Sequence, residues 1–174
     1  MLKNFLEQNK SEIIKRWFDS IIETYPENSH DFFKRDKNQF GNPVGYTISK
    51  ETESLYGVLL DGINNDEKLY LALDNIIKIR TVQDYSPSQA INFVYLLKRV
   101  IRDFAAEHIH EENIYNELLE FESRIDKLAL CSFDVYMRCK EKIYQIRLNE
   151  SRRKVAKLLE KVNLNSGNPE QLEE

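Results

Sequence analysis

Apolar positions recur at three- and four-residue spacing along most of the chain, the period of a helix that buries one face. Ile13, Ile14, Trp17, Phe18, Ile21, Ile22 and Tyr25 make the first such stripe and predict a helix over about residues 11–25, with Ser11 as its N-cap. Pro26 should end it, because the ring removes a backbone donor and disfavours helical geometry at Tyr25. A shorter helix is expected over about 27–38. The run Phe40-Gly41-Asn42-Pro43-Val44-Gly45 reads as a turn by composition. After it, Ile48, Thr52, Leu55, Leu59 and Ile63 resume helical spacing until Gly62, Asn64 and Asn65, and Asp66 is placed to cap the next helix over about 67–83.

That next helix carries Leu69, Leu73 and Ile76 on one stripe, and the same spacing extends to Arg80 and Gln83. Ser86-Pro87-Ser88-Gln89 then puts a hydroxyl at the N-cap, proline at the first helical position and an amide at the third, a capping box. Its helix runs on Ala90, Val94, Leu97, Ile101, Phe104 and His108. From Glu112 to Val162 there is neither Gly nor Pro. About 51 residues at 1.5 Å each would span roughly 76 Å, more than a compact domain of this size covers. Ile114, Leu118, Phe121, Ile125, Leu128, Ser132, Val135 and Cys139 form the stripe of its first half. Tyr144, Leu148, Ser151, Val155, Leu158 and Val162 form another in a shifted register, with the look of a short coiled-coil seam.

These elements predict an all-α bundle of about six helices with a long C-terminal helix. We expect one domain over 1–162, with 138–162 as a protruding coiled-coil-like end and 163–174 as a disordered tail. Composition agrees. Five Gly and four Pro in 174 residues disfavour turn-rich β folds, and 41% hydrophobic with 31% charged residues excludes a largely disordered chain. Apolar runs are too short for a membrane span, and Met1-Leu2-Lys3-Asn4-Phe5-Leu6-Glu7 lacks the features of a signal peptide, so a cytoplasmic location is expected. Cys131 and Cys139, eight residues apart on one helix, would stand about 12 Å apart and are expected to be reduced thiols.

Charge divides unevenly. Residues 138–162 carry nine Lys/Arg against three Glu, a net +6, while the rest of the chain sums to −10. A solvated basic helix face explains this most simply. Docking to an acidic partner comes second, and nucleic acid last, because the remainder would repel phosphates.

Candidate chemistry is sparse. There is no glycine-rich phosphate loop, nucleophile elbow or zinc spacing, so no catalytic residue is expected, nor a cofactor or metal. Glu27-x-x-His30 and Glu107-x-x-His110 match the spacing used in di-iron bundles, but the inward glutamates such a site requires are not apparent. A metal- or haem-binding role for His108, or for Glu107 with His110, is therefore the alternative reading. Arg80 and Gln83, on an apolar stripe, mark a buried polar network or a ligand pocket that Trp17, Tyr25 and His108 would help to line.

Trp17 with Tyr25-Pro26, the Phe40–Gly45 run, and Ile79-Arg80-Thr81-Val82-Gln83-Asp84-Tyr85-Ser86-Pro87-Ser88-Gln89-Ala90, followed by Phe93, Leu97-Lys98 and Ile101-Arg102, give the chain a further identity. It resembles the N-terminal domain of RsbR-type co-antagonist proteins, the RsbRD N-terminal domain, over about residues 10–150. The resemblance implies an all-α sensory module similar to a globin without haem, dimerising through its terminal helices. In related proteins the output half is a STAS domain, and other members look like sensors fused to histidine kinases. Neither STAS output nor a phosphoacceptor segment is expected in these 174 residues. The implied function is a stand-alone, non-enzymatic regulatory domain that signals by direct association, as a homodimer and with an unknown protein partner. Tyr144, Leu148, Val155, Leu158 and Val162 would form the contact helix.

Overall fold

The computed structural model describes residues 1–35, 38–63, 67–109 and 114–166. Seven helices occur among them, with no strand: α1 (Leu2–Gln8), α2 (Lys10–Ile22), α3 (Glu27–Arg35), α4 (Pro43–Asp61), α5 (Glu67–Val82), α6 (Pro87–His108) and α7 (Tyr115–Ser166). The chain is all-α with a long C-terminal helix, as its periodicity predicts. It divides into two units, residues 1–139 and residues 140–174.

In the first unit, α2 packs on α6 and α4 on α5, with α1 touching both α2 and α4. One core joins them, built on Ile13, Trp17, Ile21, Ile48, Leu55, Leu59, Leu73, Phe93 and Leu97, and Phe121, Ile125, Leu128 and Val135 of α7 belong to it. Burying each such side chain contributes about 1.5–3 kcal/mol.

Helix α1 is an addition to the sequence reading, which began the first helix at residue 11. Leu2 and Leu6 are buried, and two long-range bonds pin the turn: Tyr56 donates its hydroxyl to the Leu6 carbonyl at 3.0 Å, and Leu2 N donates to Glu117 Oε2 at 2.7 Å. Seven residues with a single apolar turn carry no clear period, so tertiary contacts decide this helix. Ser11 accordingly lies inside α2 and caps nothing. Helix α2 ends at Ile22, where Thr24 and Tyr25 close turn bonds to the Ile21 and Ile22 carbonyls before Pro26. Tyr25 is thus a buried loop residue.

The Phe40–Gly45 run is only half turn. Pro43 opens α4, and Asn42 is its N-cap, accepting from Gly45 N at 2.8 Å through Oδ1 while Nδ2 donates to the Phe33 carbonyl at 3.1 Å. A Cβ at residue 45 would stand 2.3 Å from Asn42 Nδ2, which is why glycine sits there. Asn64, Asn65 and Asp66, expected to end one helix and cap the next, lie outside the described residues. The Ser86 capping box is present in full: Gln89 N donates to Ser86 Oγ and Ser86 N to Gln89 Oε1.

Ile114, just before α7, and Phe121, Ile125, Leu128, Ser132, Val135 and Cys139 within it are buried along the expected stripe, and Leu118 is half-buried. Arg102 grips Glu122 with two bonds, from Nε to Oε1 and from Nη2 to Oε2 at 2.7 Å, and Lys98 reaches Asp126 at 2.9 Å. Cys131 and Cys139 are not joined in a disulfide. In the second unit α7 continues past Val162 to Ser166, within the segment expected as tail, and 167–174 lie outside the described residues. No helix of the described residues is long and apolar enough to cross a membrane.

Candidate functional site

The helical stripe of α5 delivers Arg80 into the core with no exposure at all. Desolvation of a guanidinium is costly, and a carboxylate is the usual compensation. Here the partners are different. Nη1 donates to the Gln89 carbonyl at 2.9 Å and Nη2 to Thr24 Oγ1 at 3.1 Å. Three aromatic rings complete the cage, with the guanidinium carbon 5.6 Å from the Tyr25 centroid, 5.2 Å from Tyr85 and 5.9 Å from Phe93. Such ring faces favour a cation electrostatically. Burial still lowers the Arg80 pKa, opposed by the Tyr25 and Tyr85 oxygens.

Trp17 joins the same cluster. Its Nε1 donates to the Phe93 carbonyl at 2.6 Å, and its ring stacks on Phe93. Tyr25 packs edge-on against Phe33 and Tyr85, and burial pushes its phenol pKa up. Two buried atoms of the cluster, the Tyr25 hydroxyl oxygen and Arg80 Nε, have no hydrogen-bond partner among the described residues.

Local backbone geometry explains how Arg80 and Tyr85 come to face each other. Tyr85 N bonds back to the Arg80 carbonyl and Asp84 N to that of Thr81, with Asp84 in the left-handed region at φ 57°. This is the six-to-one and five-to-two pairing that ends a helix and folds the following residue over its last turn. Tyr85 in turn meets α7, because Tyr136 donates its hydroxyl to the Tyr85 carbonyl at 3.2 Å.

Of the residues expected in this network, Trp17, Tyr25 and Arg80 are together. Gln83 is not. The left-handed residue at 84 ends the stripe, and Gln83 is exposed beyond the last full turn of α5. His108 is also displaced from its expected place on a buried stripe. It is the last residue of α6, its side chain 45% exposed, stacked on Phe104 and bonded through Nδ1 to the Phe104 carbonyl at 2.9 Å. The imidazole therefore sits partly open to solvent at a helix end rather than buried on the stripe. Glu107 is engaged by Arg16 through two bonds of 3.1 and 2.8 Å. His30 bonds to the Tyr25 carbonyl. His110 lies outside the described residues, which contain no group of three metal-ligating side chains.

Sequence reasoning missed Thr24, Tyr85, Phe93 and Tyr136 as members. Tyr85 and Phe93 lie inside or beside the quoted motif, so their position was a usable signal. Thr24 and Tyr136 carried none, since only folding brings them to Arg80 and Tyr85.

In the second unit the contact-helix residues are all open to solvent: Tyr144, Leu148, Val155, Leu158 and Val162 are each about half or more exposed. Lys140 lies 5.7 Å from the Tyr144 ring centre. Leu148, Val155, Leu158 and Val162 follow four- and three-residue steps along α7 with Ser151 between them, the period of a seam that another helix covers.

Of the motif residues, Trp17, Tyr25, Arg80, Tyr85 and Phe93 meet in one buried cluster. A relative from Archaeoglobus fulgidus, itself uncharacterised, is 25% identical over 143 residues, covering 82% of this chain and 84% of its own. No solved structure matches. The family model described as the RsbT co-antagonist protein rsbRD N-terminal domain matches residues 11–151, and the chain belongs to that family.

Proposed function

We propose that this chain is a non-enzymatic cytoplasmic sensory domain that dimerises through α7 and transmits its state by association. The observation that carries the reading is the exposed apolar series Leu148, Val155, Leu158 and Val162 on one helix period, since a folded chain gains by covering such a stripe with another polypeptide. The globin-like arrangement known in the RsbR branch is part of the same proposal.

The Arg80 cluster supplies the element to be switched. It couples the α2–α3 loop through Thr24 and Tyr25, the α5–α6 turn through Tyr85, and α7 through Tyr136. A ligand that favours one packing of these groups by a few kcal/mol would shift the population of α7 states. The basic residues of 138–162 would then present that state to an acidic protein partner.

Light scattering on the full chain at about micromolar concentration tests the reading. A dimer is expected, and the double substitution Leu148→Lys with Leu158→Lys should make it monomeric while leaving the helical spectrum of residues 1–139 in place. A monomeric parent chain would overturn the proposal.

A further inference from the structure

Away from the Arg80 cage, α2, α3 and α4 enclose a cleft of about 760 Å³. Its volume lies in the range of small-molecule sites, well short of what a docked helix of several turns needs. The floor is apolar, made by Ile14, Phe18 and Phe33, all half-buried against the core. The rim is cationic: Lys10, Lys15, Lys34 and Lys50 face a single carboxylate, Glu53.

The ion pairs leave part of that charge unspent. Lys10 is held by Glu53 at 3.2 Å and Lys34 by Asp19 at 3.5 Å. Lys15 and Lys50 have no ion pair among the described residues. In a chain whose remainder outside 138–162 sums to −10, four lysines around one apolar trough run against the overall charge. An apolar trough edged by unspent ammonium groups matches one chemistry, an alkyl chain ending in an anionic head. The chain would displace water from Ile14, Phe18 and Phe33, and the head would take charge-assisted bonds from the lysines.

The cleft also touches the buried cluster. Phe33, in its floor, packs edge-on against Tyr25 with centroids 5.0 Å apart, and Tyr25 lies under the Arg80 guanidinium. An occupant that shifts the Phe33 ring presses on Tyr25, the member of the cage whose hydroxyl has no partner among the described residues.

We propose that this cleft binds a single-chain amphiphile with an anionic head, and that Phe33 and Tyr25 pass its presence to the Arg80 cage. The second half of this inference rests on the sensory reading above; the first half does not.

Titration calorimetry of the full chain with laurate below its micellar concentration tests it, with dodecanol and acetate as comparisons. Laurate should bind, dodecanol about tenfold or more weaker, and acetate not measurably. Substituting Lys15→Gln with Lys50→Gln, both exposed and outside the core, should weaken laurate about tenfold and leave dodecanol and the melting temperature unchanged. Phe18→Ala should weaken laurate and dodecanol alike. Equal binding of laurate and dodecanol, no binding of laurate, or a laurate affinity indifferent to the lysine substitutions would each overturn the site. An acidic amphipathic peptide that binds where laurate does not would assign the cleft to a protein partner and overturn it too. Light scattering on the same samples separates this outcome from failure of the dimer.

Discussion

Arg80 and Gln89, on opposite sides of the α5–α6 turn, are joined by a 2.9 Å bond from Nη1 to the Gln89 carbonyl. The same turn therefore has two fastenings. The Ser86 capping box sets where α6 begins, and the buried guanidinium ties that beginning back to α5 and, through Thr24, to the end of α2.

Removing the side chain should be costly. Arg80→Ala leaves a cavity among Tyr25, Tyr85 and Phe93 and unfastens the turn, and we expect a loss of about 2–4 kcal/mol in urea denaturation. Arg80→Lys keeps the charge but has no planar fork to reach both Gln89 and Thr24, so it should recover only part of the loss. A cost below about 0.5 kcal/mol for the alanine variant would show that the cage does not hold the fold.

The two tyrosines around Tyr85 should behave differently. Tyr136 donates to the Tyr85 carbonyl, so Tyr136→Phe should cost about 0.5–1.5 kcal/mol. The Tyr25 hydroxyl is buried with no hydrogen bond of ordinary geometry among the described residues, although its oxygen favours the Arg80 cation, so Tyr25→Phe should cost less than Tyr136→Phe. Thermal melts of the two single variants make the comparison, and equal costs would contradict it.

Asn42 and Gly45 should be strongly non-additive. Gly45→Ala alone drives a Cβ into the Asn42 side chain and should cost about 1–3 kcal/mol. Asn42→Ala alone removes the α4 cap and the bond to Phe33, at about 1–2 kcal/mol. With Asn42 already alanine, the three atoms that stand nearest to a Cβ at residue 45 are gone, and Gly45→Ala should then cost much less because alanine suits a helix better. A double-mutant cycle with no coupling would exclude this account.

Acid should loosen the clasp between α6 and α7. Arg102, bonded to both Glu122 oxygens, holds that buried carboxyl below its ordinary range, with Lys98 adding to the effect. A carboxyl depressed in the folded state contributes stability that is complete above the ordinary value of about 4.3 and is lost as pH falls through the folded value. The melting temperature should therefore fall below about pH 4 more steeply than in Glu122→Gln, which is already weaker at neutral pH. Parallel acid profiles for the two proteins would place the pH dependence elsewhere.

Helical periodicity alone set the all-α class, the buried faces of α2, α4, α5, α6 and α7, and the start of α6, because stripe spacing and a capping box are local properties of the chain. The family motif likewise pointed to Trp17, Tyr25 and Arg80. Local spacing failed where the chain stops being helical: it carried the α5 stripe on to Gln83 and the α6 stripe on to His108, although a left-handed residue and a helix end turn both outward. Only the tertiary structure decided that Leu2 and Leu6 form a helix, that Pro43 to Gly45 begin one, and that Thr24, Tyr85 and Tyr136 meet around a buried cation. The first and the last depend on partners 50 or more residues away in sequence, whereas the start of α4 rests on the nearby cap by Asn42 and its bond to Phe33. Periodicity reports which side of a helix avoids water; what lies against that side is fixed only when distant segments pack.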